Sequence, residues 1–267
     1  MLSRRVFLGL GAAAGPAMWA TQVEPEWHEV TVTPIRRPGL PSLRILHLSD
    51  LHCSDGLPAS ALLRALEMGL ERRPDLICLT GDYVSTTKGF DEAGLRRIFR
   101  RASTSAPAYA VMGNHDGGRW LSRFGGSSNS YGMRQILAEE GVTVLHNEAA
   151  QLPEGVELVG MGDLFSGEFG RFSGVSAGPR IVLCHNPDGK DHLAGQRWDL
   201  MLSGHTHGGQ VRLWPVPTSW APVEDKRYLA GLYEWEGRHL FITRGAGSPK
   251  HVRFGCRPEV SILELGA

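Results

Sequence analysis

Cysteine is scarce and scattered. There are four residues, Cys53, Cys78, Cys184 and Cys256, and no CxxC pair among them. That spacing excludes a zinc clip built on paired cysteines and a dense disulfide framework. Cys78 and Cys184 lie inside apolar runs and are expected to be buried thiols. An excess of either charge is also missing, because 28 Lys plus Arg balance 28 Asp plus Glu. No basic stripe stands out, so the electrostatic footprint of a nucleic-acid binder is lacking and no nucleic-acid partner is expected. Charge balance leaves phosphate chemistry open, since a bound metal brings its own positive charge. Internal repeats and low-complexity tracts are absent too.

A long apolar run is likewise wanting. The uncharged stretch Val6–Ala20 falls short of the ~20 residues of a comfortable membrane span. It follows Arg4 and Arg5 in the layout of a secretory signal: a charged end, a short apolar run, then small residues. SRRVFL resembles the twin-arginine export motif, with Gly9 where a lysine is often found. Residues 1–20 are therefore expected to be an export signal or an N-terminal anchor, and residues 27–267 a single domain. The expected location is periplasmic or otherwise extracytoplasmic, reached by the twin-arginine route, with association at a membrane surface.

What the chain does contain is a recurring pattern. LRILHLSD, PDLICLTGD, PAYAVMGNHD, RIVLCHNP and WDLMLSGHTH are short apolar runs of buried-strand character. Each ends in a polar residue: Asp50, Asp82, Asn114 with His115 and Asp116, His185, and His205 with His207. Helical periodicity separates the earlier runs at 58–73, 90–103 and 130–141. WHEVTVTPI alternates as a strand does, and VELVGMG, YLAGLYEWEG and HLFITRG read as further strands. Strands alternating with helices predict an α/β fold, in which ligands gather beyond the carboxyl ends of the strands.

Asp50, His52, Asp82, Asn114, His185, His205 and His207 together make a metal-ligating set. Carboxylates suit hard cations and imidazoles suit first-row transition metals. Seven groups exceed one tetrahedral ion but suit two ions sharing a carboxylate, about 3.5–4 Å apart. Glycines at 81, 113 and 204 would let the backbone turn sharply beside them. His47 reads as a core histidine sooner than as a partner behind the site, Asp116 as a helix cap or an acceptor behind the site, and Asp163 as a turn residue sooner than as a substrate contact. His28, His146, His192, His239 and His251 read as surface or loop residues.

D-x-H at 50–52, GD at 81–82, GNHD at 113–116, His185 and GHTH at 204–207 resemble the calcineurin-like metallophosphoesterases over roughly residues 43–210. GHTHGGQVRL and the tail RGAGSPKHVRFGCRPEVSILEL are similar to the bacterial exported phosphodiesterase branch of that family. The resemblance implies a four-layer α/β/β/α sandwich of two mixed sheets and a dimetal centre of manganese, iron or zinc. By position, Asp50, His52 and His207 would hold one ion and Asn114, His185 and His205 the other, with Asp82 between them. A hydroxide held between the ions would attack phosphorus in line, and His115 would protonate the departing oxygen. The implied substrate is a small-molecule or lipid-linked phosphodiester. Alternatives on the same scaffold are a phosphomonoesterase or nucleotidase, and a non-catalytic binding protein. The pattern departs from the family at one place: GDYVS puts Ser85 where many members carry the acidic residue that orients the catalytic histidine. A serine there also counts against the iron site of the purple acid phosphatases, which use tyrosine. Trp214 and Trp220, just after the GHTH turn, suggest an amphiphilic wall near the metals.

Overall fold

The computed structural model describes residues 15–54, 56–86, 89–172, 177–213 and 221–266. Its centre is a pair of six-stranded sheets. The first sheet uses β1 (Glu29–Ile35), β2 (Leu43–Leu48), β3 (Leu76–Leu79), β4 (Ala108–Ala110), β5 (Thr143–Val144) and β12 (Glu259–Leu265), in the order β1-β12-β2-β3-β4-β5. The second uses β6 (Glu148–Gln151), β7 (Glu157–Gly160), β8 (Arg180–Leu183), β9 (Leu200–Ser203), β10 (Gly231–Trp235) and β11 (Arg238–Ile242), in the order β10-β11-β9-β8-β7-β6. Both are mixed. β2 to β5 run parallel while β12 pairs antiparallel with β2, and β7, β8, β9 and β11 run parallel between antiparallel edges.

The apolar runs explain this arrangement. β3, β7, β8 and β9 are buried along their whole length, as parallel strands covered on both faces must be. Ile45, Leu76, Cys78, Ile181, Leu183, Leu200, Leu202, Phe241 and Leu263 fill the space between the sheets. Each such leucine or isoleucine contributes roughly 1.5–3 kcal/mol by leaving water. The outer face of the first sheet packs on α1 (Ala59–Leu70), α2 (Glu92–Ser103) and α3 (Tyr131–Glu139). In α2 the buried stripe is Leu95, Ile98, Phe99 and Ala102, at helical spacing, and the Asp91 carboxylate caps its start by accepting from Gly94 N.

The second sheet is covered differently. Val159, Val182, Met201, Leu240 and Ile242 pack under Phe172, Leu193, Trp198 and the single helical turn Gly189–His192. The fourth layer is thus largely irregular chain held by aromatic side chains, among the described residues. His28 corrects one expectation: it is buried, with ring nitrogens 3.0 Å and 2.8 Å from the carbonyls of Glu26 and Ala246. His239 lies within β11, partly exposed, in the stretch HLFITRG that reads as a strand. His47 is a core residue, bonded through Nε2 to Thr80 Oγ1 at 2.8 Å. All four cysteines are free and buried. Among the described residues no helix is long and apolar enough to cross a membrane.

Candidate dimetal centre

The parallel strands of both sheets end at one place. The loop after β2 carries Asp50 and His52, that after β3 carries Asp82, and that after β4 carries Asn114 and His115. From the second sheet, β8 leads to His185 and β9 to His205 and His207. Asp50, His52, Asp82, His205 and His207 all have positive φ, from 47° to 68°. Non-glycine residues rarely hold that conformation, and it persists only where the surroundings impose it. Here the loops impose it on one another. Asp50 N donates to Gly81 O at 2.9 Å and His52 N to Asp82 O at 3.0 Å, which continues the β2–β3 pairing past the strands. The Asp116 carboxylate accepts from Asp82 N, Tyr83 N and Gly113 N at 2.8 Å each, so it is an acceptor behind the site and not a helix cap. Close approach explains two glycines. A Cβ at 204 would lie 2.0 Å from Ser49 Oγ, and one at 113 would lie 2.3 Å from Asp82 Oδ1.

These loops gather the side chains into two fully buried groups that could each hold an ion, Asp50 with His52 and His207 and Asp82 with His185 and His205, and a third that reaches the rim, His52 with Asp82 and His115. In the first, His207 Nε2 is 3.2 Å from His52 Nε2 and 3.4 Å from Asp50 Oδ1. In the second, His185 Nε2 is 3.1 Å from His205 Nδ1 and 3.2 Å from Asp82 Oδ2. The same Asp82 Oδ2 stands 3.6 Å from His52 Nε2, so one oxygen faces both groups. Asn114 lines the same space with its Oδ1 buried and without a hydrogen-bond partner.

A cation fits this donor set. Two ligands on one tetrahedral ion, with bonds of about 2.0–2.1 Å, stand roughly 3.3–3.4 Å apart, close to the spacings seen. Metal-binding imidazoles must be neutral. Burial drives His205 down to about 3 and holds His52 and His207 well below the usual imidazole range. Burial also opposes charge on His185, but the carboxylates of Asp82, Asp50 and Asp163 overcome it and carry that ring up to about 10. A cation beside the same carboxylates would replace that positive charge and leave the ring neutral. Asp82 is shifted oppositely: burial would raise it, yet His185, His115 and His52 keep it well below the ordinary carboxylate range. Burial lifts Asp50 to about 6, and burial together with the Asp82 charge lifts Asp116 to about 8. Carboxylates buried this deeply call for positive charge between them.

His115 sits at the rim, its backbone N donating to Asp82 Oδ1 at 2.8 Å. Its ring is oriented by the main chain: Nδ1 is 2.7 Å from the carbonyl oxygen of Ser85. The Ser85 hydroxyl turns instead to His52, lying 3.4 Å from Nδ1 and 3.3 Å from the carbonyl oxygen. The departure from an acidic residue at position 85 is therefore met by a backbone acceptor.

Above these groups opens a cleft of about 220 Å³ lined by Asp82, Asn114, His115, His205 and His207 together with Trp120, Phe165, Gln210, Pro222 and Pro249. Trp120 packs on His115 with ring centroids 4.4 Å apart, and Phe165 meets His205 edge-on at 5.1 Å. Neither aromatic stood out in the sequence, although Trp120 follows His115 by only five residues. Trp214 and Trp220 lie outside the described residues. Asp163 behaves as a turn residue, accepting from Ser166 N at 2.7 Å.

The family described as calcineurin-like phosphoesterase matches residues 43–209. The chain is 39% identical to phosphodiesterase YaeI of Escherichia coli (strain K12), over 99% of this chain and 100% of that protein. It is 27% identical to UDP-2,3-diacylglucosamine pyrophosphatase LpxG of Chlamydia trachomatis serovar D, over 92% of each. A solved structure from Thermus thermophilus aligns at a TM-score of 0.45 and 12% identity, covering 77% of this chain and 91% of that one. A match over more than half of the chain, joined to a full-length relative at this identity, places the protein in the calcineurin-like phosphoesterase family as a metal-dependent phosphoesterase.

Proposed function

We propose that the protein is a phosphodiesterase working outside the cytoplasm on amphiphilic diesters, through two ions at the centre described above. Asp50, His52 and His207 hold one ion, Asn114, His185 and His205 hold the other, and Asp82 joins them. The observation that carries this reading is the single Asp82 oxygen facing imidazoles of both groups. When bound, the two ions supply positive charge to the phosphoryl oxygens and lower the pKa of bound water.

The chain's own residues do the rest. The Ser85 carbonyl accepts from His115 Nδ1, which leaves Nε2 as the atom that, in the imidazolium form of the ring, gives its proton to the leaving oxygen and ends as a neutral nitrogen. Trp120 and Phe165 present apolar faces beside the two site histidines, which suits a diester with an aryl or lipid leaving group. The two relatives support this choice, one named a phosphodiesterase and the other a pyrophosphatase of a diacylated sugar nucleotide. Purified protein loaded with manganese, iron or zinc should cleave diesters faster than the matching monoesters, and lipid diesters should outrun short soluble ones. Preference for monoesters would overturn the assignment.

Export by the twin-arginine route is part of the same proposal. It is supported by SRRVFL and the apolar run after it, of which residues 1–14 lie outside the described residues. Replacing Arg4 and Arg5 together by lysine should leave the precursor inside the cell; unchanged export would refute the route.

A further inference from the structure

Arg253 is 0% exposed and forms no ion pair with a carboxylate among the described residues. Burying a guanidinium costs several kcal/mol unless its donors are used. Here both terminal nitrogens go to main-chain carbonyls, with a further long contact of 4.0 Å from Nη1 to Cys256 Sγ. Nη1 donates to His207 O at 3.2 Å and Cys256 O at 3.3 Å; Nη2 donates to Arg244 O at 2.7 Å, Gly245 O at 3.1 Å and Gly247 O. Nε has no partner. An apolar side chain would leave these buried carbonyls without the donor they now share, so the arginine serves the polar network and packing alone does not account for it.

Apart from Cys256 O, in Arg253's own turn, the carbonyls belong to two segments that meet at one proposed ion. His207 is a ligand in that reading. The 244–247 segment lies against the Asp50 backbone, with Ala246 N donating to Ser49 O at 2.9 Å and Gly247 N to Asp50 O at 2.7 Å. A Cβ at position 245 would fall 2.7 Å from Asp50 Cβ, so this segment presses directly on the ligand. Asp50 and His207 both hold positive φ, a conformation that must be imposed from outside. The planar fork of one guanidinium spans both segments, which the point charge of a lysine cannot do.

We propose that Arg253 is a positioning residue for the ion held by Asp50, His52 and His207. It sets the distance between the Asp50 and His207 segments without touching the ion or the substrate. The inference rests on the ligand assignment above and deepens it.

The test uses the full chain as wild type, Arg253→Met and Arg253→Lys. Manganese binding is followed by equilibrium dialysis and by electron paramagnetic resonance, with thermal unfolding of the chelated proteins alongside. Wild type should bind two ions and give the spin-coupled signal of a close pair. Arg253→Lys keeps the charge and serves if Arg253→Met does not fold. Either folded variant should hold one ion at near-native affinity, bind the other at least about tenfold more weakly, and show an isolated-ion spectrum. Arg253→Lys should lose less affinity than Arg253→Met. Two ions bound normally in Arg253→Lys would overturn the proposal, and so would parallel loss of both ions as each variant unfolds. A wild type that binds fewer than two ions would instead overturn the ligand assignment, which separates the two failures.

Discussion

At position 85 the chemistry turns on a main-chain atom. Sequence comparison draws the eye to the serine side chain, yet the ring of His115 is held by the Ser85 carbonyl at 2.7 Å. Ser85→Ala should therefore change turnover by no more than about twofold, since the acceptor that fixes the His115 tautomer survives. His115→Ala should retain both ions and slow turnover by about 10²–10⁴, most for poor leaving groups. Steady-state kinetics with a leaving-group series, beside metal analysis, checks both. Loss of the ions in His115→Ala would mean that the residue belongs to the ligand set. Asp116 shows how far a single residue type can mislead: the same carboxylate could cap a helix, and here it ties together the backbone of two site loops.

At the scale of the elements, the strands do more than carry candidate ligands on their ends. β2 also buries His47, whose pKa burial lowers to about 3. In the unfolded chain that ring takes a proton below its ordinary value near 6.5. In the folded chain it stays neutral until about pH 3. Its contribution to stability is therefore complete above pH ~6.5 and is lost as pH falls from there toward the folded value, at up to about 1.4 kcal/mol per unit. His47→Gln, which retains a donor for Thr80, should flatten this acid limb in chelated protein. Denaturant titrations at pH 7 and pH 4.5 measure it, and an equal loss for both proteins would refute it. Helix periodicity placed α1 to α3 within a few residues, because their apolar stripes face a single sheet. The cover of the second sheet has no such periodicity. Phe172, Leu193 and Trp198 reach it from irregular chain, so that layer was not readable as helices.

For the whole molecule, the centre closes only because two sheets converge on it. His185 and His205 come from one sheet, Asp50 and Asp82 from the other, and the apolar layer between the sheets sets their distance. Bound ions should then hold the two sheets together at their carboxyl ends. Chelation should lower the melting temperature, since each ion at a thousand times its Kd adds about 4 kcal/mol to the folded state. Asp82→Asn, weakened at the residue facing both groups, should bind neither ion tightly and lose much less on chelation. Calorimetry with and without chelator decides this, and an equal drop in both proteins would count against a shared ligand. The chain before β1 joins the same region: Glu24 accepts from Trp19 Nε1 at 2.8 Å and from Cys256 N at 2.6 Å, and Ala20 O accepts from Arg253 N at 2.8 Å. Residues ahead of position 27, where the domain was expected to start, are thus stitched to the turn beside His207.

By itself the sequence determined the α/β class, the strands that end in polar residues, and the order of the chemistry-bearing motifs. Those are local properties: hydrophobic period, strand length, and the residue that follows each apolar run. It could not reveal that the Ser85 carbonyl orients His115, that Trp120 and Phe165 line the cleft, that His28 is buried, or that Arg253 joins the Asp50 and His207 segments. Each of these depends on atoms between 5 and 218 positions apart along the chain brought within about 5 Å. Contacts of that kind are set by how two sheets and their loops pack, and no short window of sequence carries that information.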